Sequence, residues 1–375
     1  MKETITPFNH GGDITGFLKK IGKSEEDILD FSSNITPLPV SPVLTKVYQD
    51  AIACLGRYPD SYAREFCREI GIRFGVDHDC VIAGNGAISL IDLVLRAYRP
   101  QQALLIQPCF NEYQRLLHLY GAQVREIFLK EEEDFQFSYK EILDHLKGID
   151  MLILGYPNNP TGTALDRQEM VALIQETKRR GVFLLVDEAF IDWNPQLSID
   201  QEIQRNSSLV VVRSLTKFFG LAGIRSGFAF ADQRIIEKMR SVQEPWSCNG
   251  LAQRLSVAAL REVEFQQRTL FWFTEESKFL EKRLSFIPGI KIFPSLANFF
   301  LAKLMNPDQE EIFWTHMESC GIYLREMGDF CGLSNRYFRM ALKTREENLI
   351  LIDRLQEALV ENKLDKTLLE VDCKR

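Results

Sequence analysis

The sequence predicts an α/β architecture: a mainly parallel sheet covered on both faces by helices, followed by a smaller α+β domain. Three observations predict it. Short apolar runs alternate with segments of helical period through the middle of the chain. The strands beyond Pro288-Gly289 become shorter and mix with helices. At 375 residues the chain is long enough for two domains and a sizeable core.

Taken in order, residues 1–40 read as an N-terminal arm, 41–286 as the large domain and 287–375 as the small one. The candidate strands of the large domain are "ALLIQP" (103–108), "MLILGY" (151–156), "VFLLVDEAF" (182–190), "LVVVRS" (209–214) and "SGFAFA" (226–231). Between them, Leu165 to Arg180 carries Met170, Leu173 and Ile174 at helical spacing, ends in three basic residues and stops at Gly181. One long helix is expected from about Ser247 to Phe286. After it come the short strands "IKIF", "NFFLAKL" and "YFRMALK". The acidic run "KEEEDF" at 130–135 reads as a solvated loop, and the tail "EVDCKR" as a frayed end.

Composition narrows the function. With 45% hydrophobic, 11% aromatic and 26% charged residues the chain is an ordinary soluble globular protein. A formal charge of −7 and the lack of a Lys/Arg stripe argue against nucleic acid. The N-terminus lacks the apolar core of a signal peptide, and no apolar run approaches the ~18 residues of a membrane span, so a cytoplasmic address and no membrane partner are expected. Eight cysteines without a CxxC pair and five histidines without an HxxxH pair argue for free, mostly buried thiols and no metal.

The chemistry gathers around "VVVRSLTKFFGLAGIRSG" (210–227). Lys217 follows a β-branched run, and Ser214, Thr216 and Arg225 add two hydroxyls and a charged fork that suit a phosphate. Upstream, Gly84-Asn85-Gly86 opens an amphipathic helix, whose first N–H groups and dipole attract an anion. Asp187 ends a strongly apolar strand, where a carboxylate is costly without a cation or donor. The turn "YPNNPTG" (156–162) offers the Asn159 amide. All these pieces fall at carboxyl ends of strands, where open α/β sheets bind ligands.

On these residues the chain resembles the fold type I enzymes that use pyridoxal 5′-phosphate (PLP), in the aminotransferase class I/II superfamily. The resemblance implies a large domain with a mainly parallel seven-stranded sheet plus the small α+β domain. It implies that Lys217 forms the Schiff base with the cofactor and that Asp187 pairs with its ring nitrogen. Asn159 then bonds the ring oxygen, and Ser214, Thr216, Arg225 and the Asn85-Gly86-Ala87 amides hold the phosphate. Phe110, in "QPCFNEY", stacks on the ring, and Tyr58, in "RYPD", reaches the cofactor of a neighbouring subunit in a homodimer.

Within the superfamily the likeness is greatest to the threonine-phosphate decarboxylases of cobalamin synthesis, which act in making its nucleotide loop. It rests on "NHGGDI", "DFSSNITPL", "SLTKFF", "EPWSCN" and "NRYFRMALK". It implies a phosphorylated amino acid as substrate, L-threonine O-3-phosphate or L-serine O-phosphate. Arg339 takes its carboxylate, while Arg325, His10 and Asn34 lie near it. The relatives that transaminate commonly carry Asp-Glu-Ala-Tyr where this chain has Asp187-Glu188-Ala189-Phe190, so a donor to the ring oxygen is missing. Two rivals stay open, an aminotransferase for histidinol phosphate or an aromatic amino acid, and a non-catalytic regulator on the same fold. Single residues have plainer readings too: His10 as a surface group, Asn34 as a turn residue, Phe110 as core, and Arg325 as the partner of Glu326 or Asp329.

Overall fold

The computed structural model describes residues 10–372. The strands are β1 (Leu29–Asp30), β2 (Val81–Gly84), β3 (Gln102–Gln107), β4 (Gln123–Phe128), β5 (Met151–Gly155), β6 (Phe183–Asp187), β7 (Leu209–Ser214), β8 (Gly227–Ala231), β9 (Ile290–Ile292), β10 (Phe299–Leu304), β11 (Ile322–Tyr323), β12 (Arg325–Glu326) and β13 (Tyr337–Ala341). The chain divides into two compact units. The larger comprises Ile35–Phe273 with Pro294–Asn298, and the smaller comprises the chain up to Asn34, Thr274–Phe293 and Phe299 onward.

The larger unit is built on a seven-stranded sheet of order β2-β8-β7-β6-β5-β3-β4. Every neighbouring pair is parallel except the two made by β8, which runs antiparallel to both β2 and β7. The strands β5 to β8 are buried at every position, as a sheet covered on both faces requires. Leu90, Ile91, Val94 and Leu95 of the helix Ala87–Tyr98 pack into the same core as Leu105, Ile153, Leu185 and Val212. The sequence reading passed over β2, only four residues long, and β4, an edge strand whose Gln123, Arg125 and Glu126 break the apolar run.

The expected helix over Leu165–Arg180 begins at Arg167, because Asp166 serves as its N-cap and accepts from the Glu169 N–H at 2.8 Å. It ends at Gly181 in the left-handed region, φ 70°. The single helix expected over 247–286 is two, Gly250–Arg261 and Val263–Leu284. Glu262 breaks them at φ −86°, ψ 74°, and its carboxylate accepts from the Ser41 hydroxyl at 2.5 Å. The acidic run is only partly a solvated loop: Glu132 and Glu133 are exposed, whereas Phe135 is buried and its carbonyl accepts from Thr163 Oγ1 at 2.8 Å. The seven described cysteines are all free, but only Cys67, Cys109 and Cys248 are buried, so the thiols are less buried than expected; Cys373 lies outside the described residues. The last helix runs to Asp372, into the tail read as frayed, whose final three residues lie outside the described ones.

The smaller unit has a four-stranded antiparallel sheet, β12-β13-β10-β9. Beside it β1 pairs parallel with β11, Leu29 opposite Ile322. Backbone bonds Phe31 N–H to Tyr323 O (2.9 Å) and Ala341 N–H to Phe31 O (2.8 Å) then fix the "DFSSN" segment next to β13. Among the described residues no helix is long and apolar enough to cross a membrane.

Candidate active site

Sheet register explains why the larger unit's candidate residues converge. Asp187, the last residue of β6, lies opposite Gly155, the last of β5, and opposite Val212 of β7. The loop holding Asn159 and the loop holding Lys217 therefore leave the sheet at the edge where Asp187 ends its strand. Antiparallel β8 enters at that edge: Gly227 faces Ser214 on one side and Gly84 on the other. Ser214, Arg225 and the turn Asn85-Gly86 thus meet across three adjacent strands, although up to about 140 residues of chain separate them. This is the carboxyl edge at which open α/β sheets take ligands.

The anion cradle is explicit. Gly86 is the N-cap of the helix Ala87–Tyr98, adopts φ 82°, and offers no side chain to the first-turn N–H groups. A Cβ at Gly86 would sit 2.8 Å from Arg225 Nη2, so the guanidinium lies directly over the helix start. Arg225 is itself in the left-handed region, φ 59°, with Nη1 donating to the Ala222 carbonyl at 3.3 Å. Ser214 and Thr216 are buried, and the Ser214 hydroxyl accepts from the Thr216 N–H at 3.2 Å. Backbone donors, a dipole, two hydroxyls and a guanidinium are what a phosphate monoester requires.

Asp187 is buried, and burial pushes its carboxyl up from the ordinary range. Three groups oppose the push: the Tyr113 hydroxyl, which donates to Oδ2 at 2.7 Å, the Ala189 N–H, which donates to Oδ1 at 3.0 Å, and the charge of Lys217. Lys217 is half-buried, its carbonyl accepting from the Thr36 N–H at 3.0 Å. Asn159 is half-buried, beside Asn158, whose amide donates to Pro108 O and Thr161 Oγ1, both at 2.9 Å, and so pins the turn. Phe110 packs edge-on against Tyr113, ring centroids 5.5 Å apart.

Sequence reasoning missed Tyr113. Its signal was available: it follows Phe110 by three residues at a helix start, which puts both rings on one face. It also missed Arg213, which is buried with Glu188 (Nε to Oε2, 2.9 Å) and has Asp192 at 3.4 Å. Arg213 sits one residue before Ser214 and Glu188 one after Asp187, so this ion pair ties together the strand ends that carry both.

The substrate-side candidates fall in the smaller unit. Arg325 and Arg339 face each other across β12 and β13 and are both buried. Arg339 Nη2 donates to the Ser32 carbonyl at 2.8 Å, and the Asn34 amide, turned so that its oxygen faces the guanidinium, accepts from Nε and Nη1 at 3.3 Å. Burial first, and the Arg325 charge second, push Arg339 down to about 9. Arg325 pairs with Asp329 at 2.6 Å as the plainer reading held, but it does so buried rather than on the surface. His10 is exposed, and the next residue, Gly11, is seated where any Cβ would collide with the Ser32 carbonyl. Tyr58, 83% exposed, packs tilted against Trp246, ring centroids 4.8 Å apart, in a surface cleft of about 690 Å³.

Three side chains of the smaller unit, His316, Cys320 and Glu357, come within metal-ligand reach of one another. Arg354 Nη1 lies 2.6 Å from Glu357 Oε2, so a cation already occupies that carboxylate and the cluster reads as an ion pair.

Known proteins resemble this chain over most of its length. The threonine-phosphate decarboxylase of Salmonella typhimurium strain LT2 is 31% identical over 353 residues, covering 93% of this chain and 96% of that one. The histidinol-phosphate aminotransferase of Clostridium acetobutylicum has a similar structure, with a TM-score of 0.83 and 29% identity over 90% of this chain and all of that one. The histidinol-phosphate aminotransferase of Sinorhizobium meliloti, solved in complex with pyridoxal 5′-phosphate, shares the fold, with a TM-score of 0.81 at 15% identity over 92% of this chain and 94% of that one. The donor set here fits that cofactor, with Arg225 seated over the helix start at Gly86 for its phosphate, a buried carboxylate at Asp187 for its ring nitrogen and an amine at Lys217. Residues 26–355 match the family model for aminotransferase class I and II, and the chain belongs to that family.

Proposed function

We propose that this protein is a PLP-dependent decarboxylase of a phosphorylated amino acid, converting L-threonine O-3-phosphate to (R)-1-aminopropan-2-ol O-phosphate, or L-serine O-phosphate to ethanolamine O-phosphate. The observation that carries the reading is the buried pair Arg325 and Arg339, held in register in one small sheet. Two desolvated guanidiniums side by side suit a substrate with two anionic groups, one carboxylate and one phosphate. The likeness to a threonine-phosphate decarboxylase over 93% of the chain supports it.

In this reading Arg339, braced by Asn34 and Ser32, binds the substrate carboxylate. Arg325, with His10 nearby, serves the phosphate end. Ser214, Thr216, Arg225 and the amides of Asn85, Gly86 and Ala87 hold the cofactor's phosphate. Phe110 lies against its ring, Asn159 bonds its ring oxygen, and Asp187 keeps its ring nitrogen protonated. When bound, PLP supplies an electron sink for the pair left at Cα as the carboxylate departs as carbon dioxide. Lys217 Nζ would hold the cofactor and, once released and protonated, would give from its ammonium the proton that Cα gains, ending as the neutral amine. The protein works in the cytoplasm as a homodimer, with Tyr58 completing the partner's phosphate site. The exposure of Tyr58, Trp246 and Leu55 around one cleft supports such an assembly.

Transamination is the second reading, favoured by the structural likeness to the Clostridium acetobutylicum enzyme. Phe190, in place of a tyrosine that donates to the ring oxygen, weighs against it. Incubating the holoprotein with each phospho-amino acid separates the two. Carbon dioxide release without an added keto acid supports decarboxylation, and keto-acid formation without gas overturns it.

A further inference from the structure

We infer that Tyr113 is a positioning residue for this site, its phenol fixing the Asp187 carboxylate in the orientation that the cofactor's ring nitrogen meets. The inference rests on the reading above and deepens it.

An aspartate at a strand end has two rotatable bonds, and one hydrogen bond would leave its carboxylate free to swing. Here each oxygen is held separately: Oδ1 by the Ala189 N–H at 3.0 Å and Oδ2 by the Tyr113 hydroxyl at 2.7 Å. The first is local, two residues along the chain. The second comes from the helix Asn111–Leu119, which follows β3 on the far side of β5. Two donors from independent elements define the carboxylate plane, and each oxygen keeps a lone pair for a further partner.

The surroundings are shaped for this bond. Tyr113 is 3% exposed, so its hydroxyl has no solvent to turn to and is costly unless partnered. Gly155, opposite Asp187 in the sheet, lies beside the bond: a Cβ there would be in ordinary contact with the Tyr113 hydroxyl at 3.5 Å and would crowd Asn158 Oδ1 at 3.2 Å. The ring of Tyr113 meets Phe110 edge-on, so the helix start that supplies the stacking ring also supplies the brace. A phenylalanine would fill the same space, and only the link to the carboxylate uses the oxygen.

The test is a double-mutant cycle on the holoprotein, reading the PLP dissociation constant by fluorescence and the absorption spectrum of the bound cofactor. Y113F removes one oxygen and leaves the packing. It is expected to weaken PLP binding about 10-fold and to alter the bound spectrum, as loss of a hydrogen bond to a charged group predicts. In a D187A background the same substitution is expected to change binding less than about twofold, because the brace then has no acceptor to hold. Wild-type binding and spectrum in Y113F would overturn the inference, and so would an equal loss in the D187A background, which would make Tyr113 a packing residue. Failure of the wild-type protein to take up PLP would overturn the functional reading together with it.

Discussion

Arg325 and Arg339 stand directly opposite one another across two antiparallel strands, two buried like charges in one register position of the sheet. Such a pair is destabilising in itself. Asp329 on one side and Asn34 with the Ser32 carbonyl on the other offset part of that cost. A doubly anionic ligand would offset more, which is a reason for the fold to retain the pair.

Replacing Arg339 by lysine keeps the charge and loses the fork. R339K is expected to raise KM for the phospho-amino acid by roughly 10²-fold, with a smaller change in kcat, measured by carbon dioxide release. Burial and Arg325 together push Arg339 down to about 9. An anionic ligand would oppose both effects and favour the charged guanidinium.

Lys217 is the amine on which the reading depends. Borohydride reduction of the holoprotein followed by peptide mass spectrometry is expected to find the pyridoxyl group on Lys217. K217A is expected to carry no adduct and to lose at least about 10³-fold in turnover.

Asp187 trades stability for function. Its carboxyl is raised by burial, so the folded apoprotein binds a proton there more tightly than the unfolded chain does. The sign follows: stability falls as pH rises from the ordinary aspartate range through the raised value, and the penalty is present in full above it. D187N keeps an acceptor for Tyr113 and removes the charge. Thermal unfolding of the apoprotein is expected to show D187N more stable than wild type at pH 7, with the gap closing toward acid pH, while PLP affinity falls.

Arg213 anchors the fully buried Glu188 and the half-buried Asp192. R213M would leave the Glu188 carboxylate buried without its cation. Chemical denaturation is expected to show a loss of roughly 3–5 kcal/mol, with the active site intact at low temperature.

The core strands and the cofactor-side residues were legible because each announces itself locally. "LVVVRS" is a strand because β-branched residues fill a surface buried on both faces, and Lys217 stands out because it breaks that run. What escaped was carried by partners distant in sequence. Nothing around Glu262 marks it as a helix break; its reason is Ser41, more than two hundred residues earlier. Tyr113 escaped because its carboxylate partner lies 74 residues on. Arg213 escaped because only the register of β6 against β7 brings it to Glu188. β4 escaped for another reason, since an edge strand needs no continuous apolar run.

The antiparallel insertion of β8 between β2 and β7 also sets a schedule for biosynthesis. Gly84, Ser214 and Gly227 become neighbours only when that strand slots in, after residue 231 has been made. A nascent or truncated polypeptide lacking β8 has every earlier strand of the sheet yet no complete grip on an anion. Under the proposed function, capture of the cofactor is therefore expected only after β8 has been made, so that occupancy would report a complete sheet.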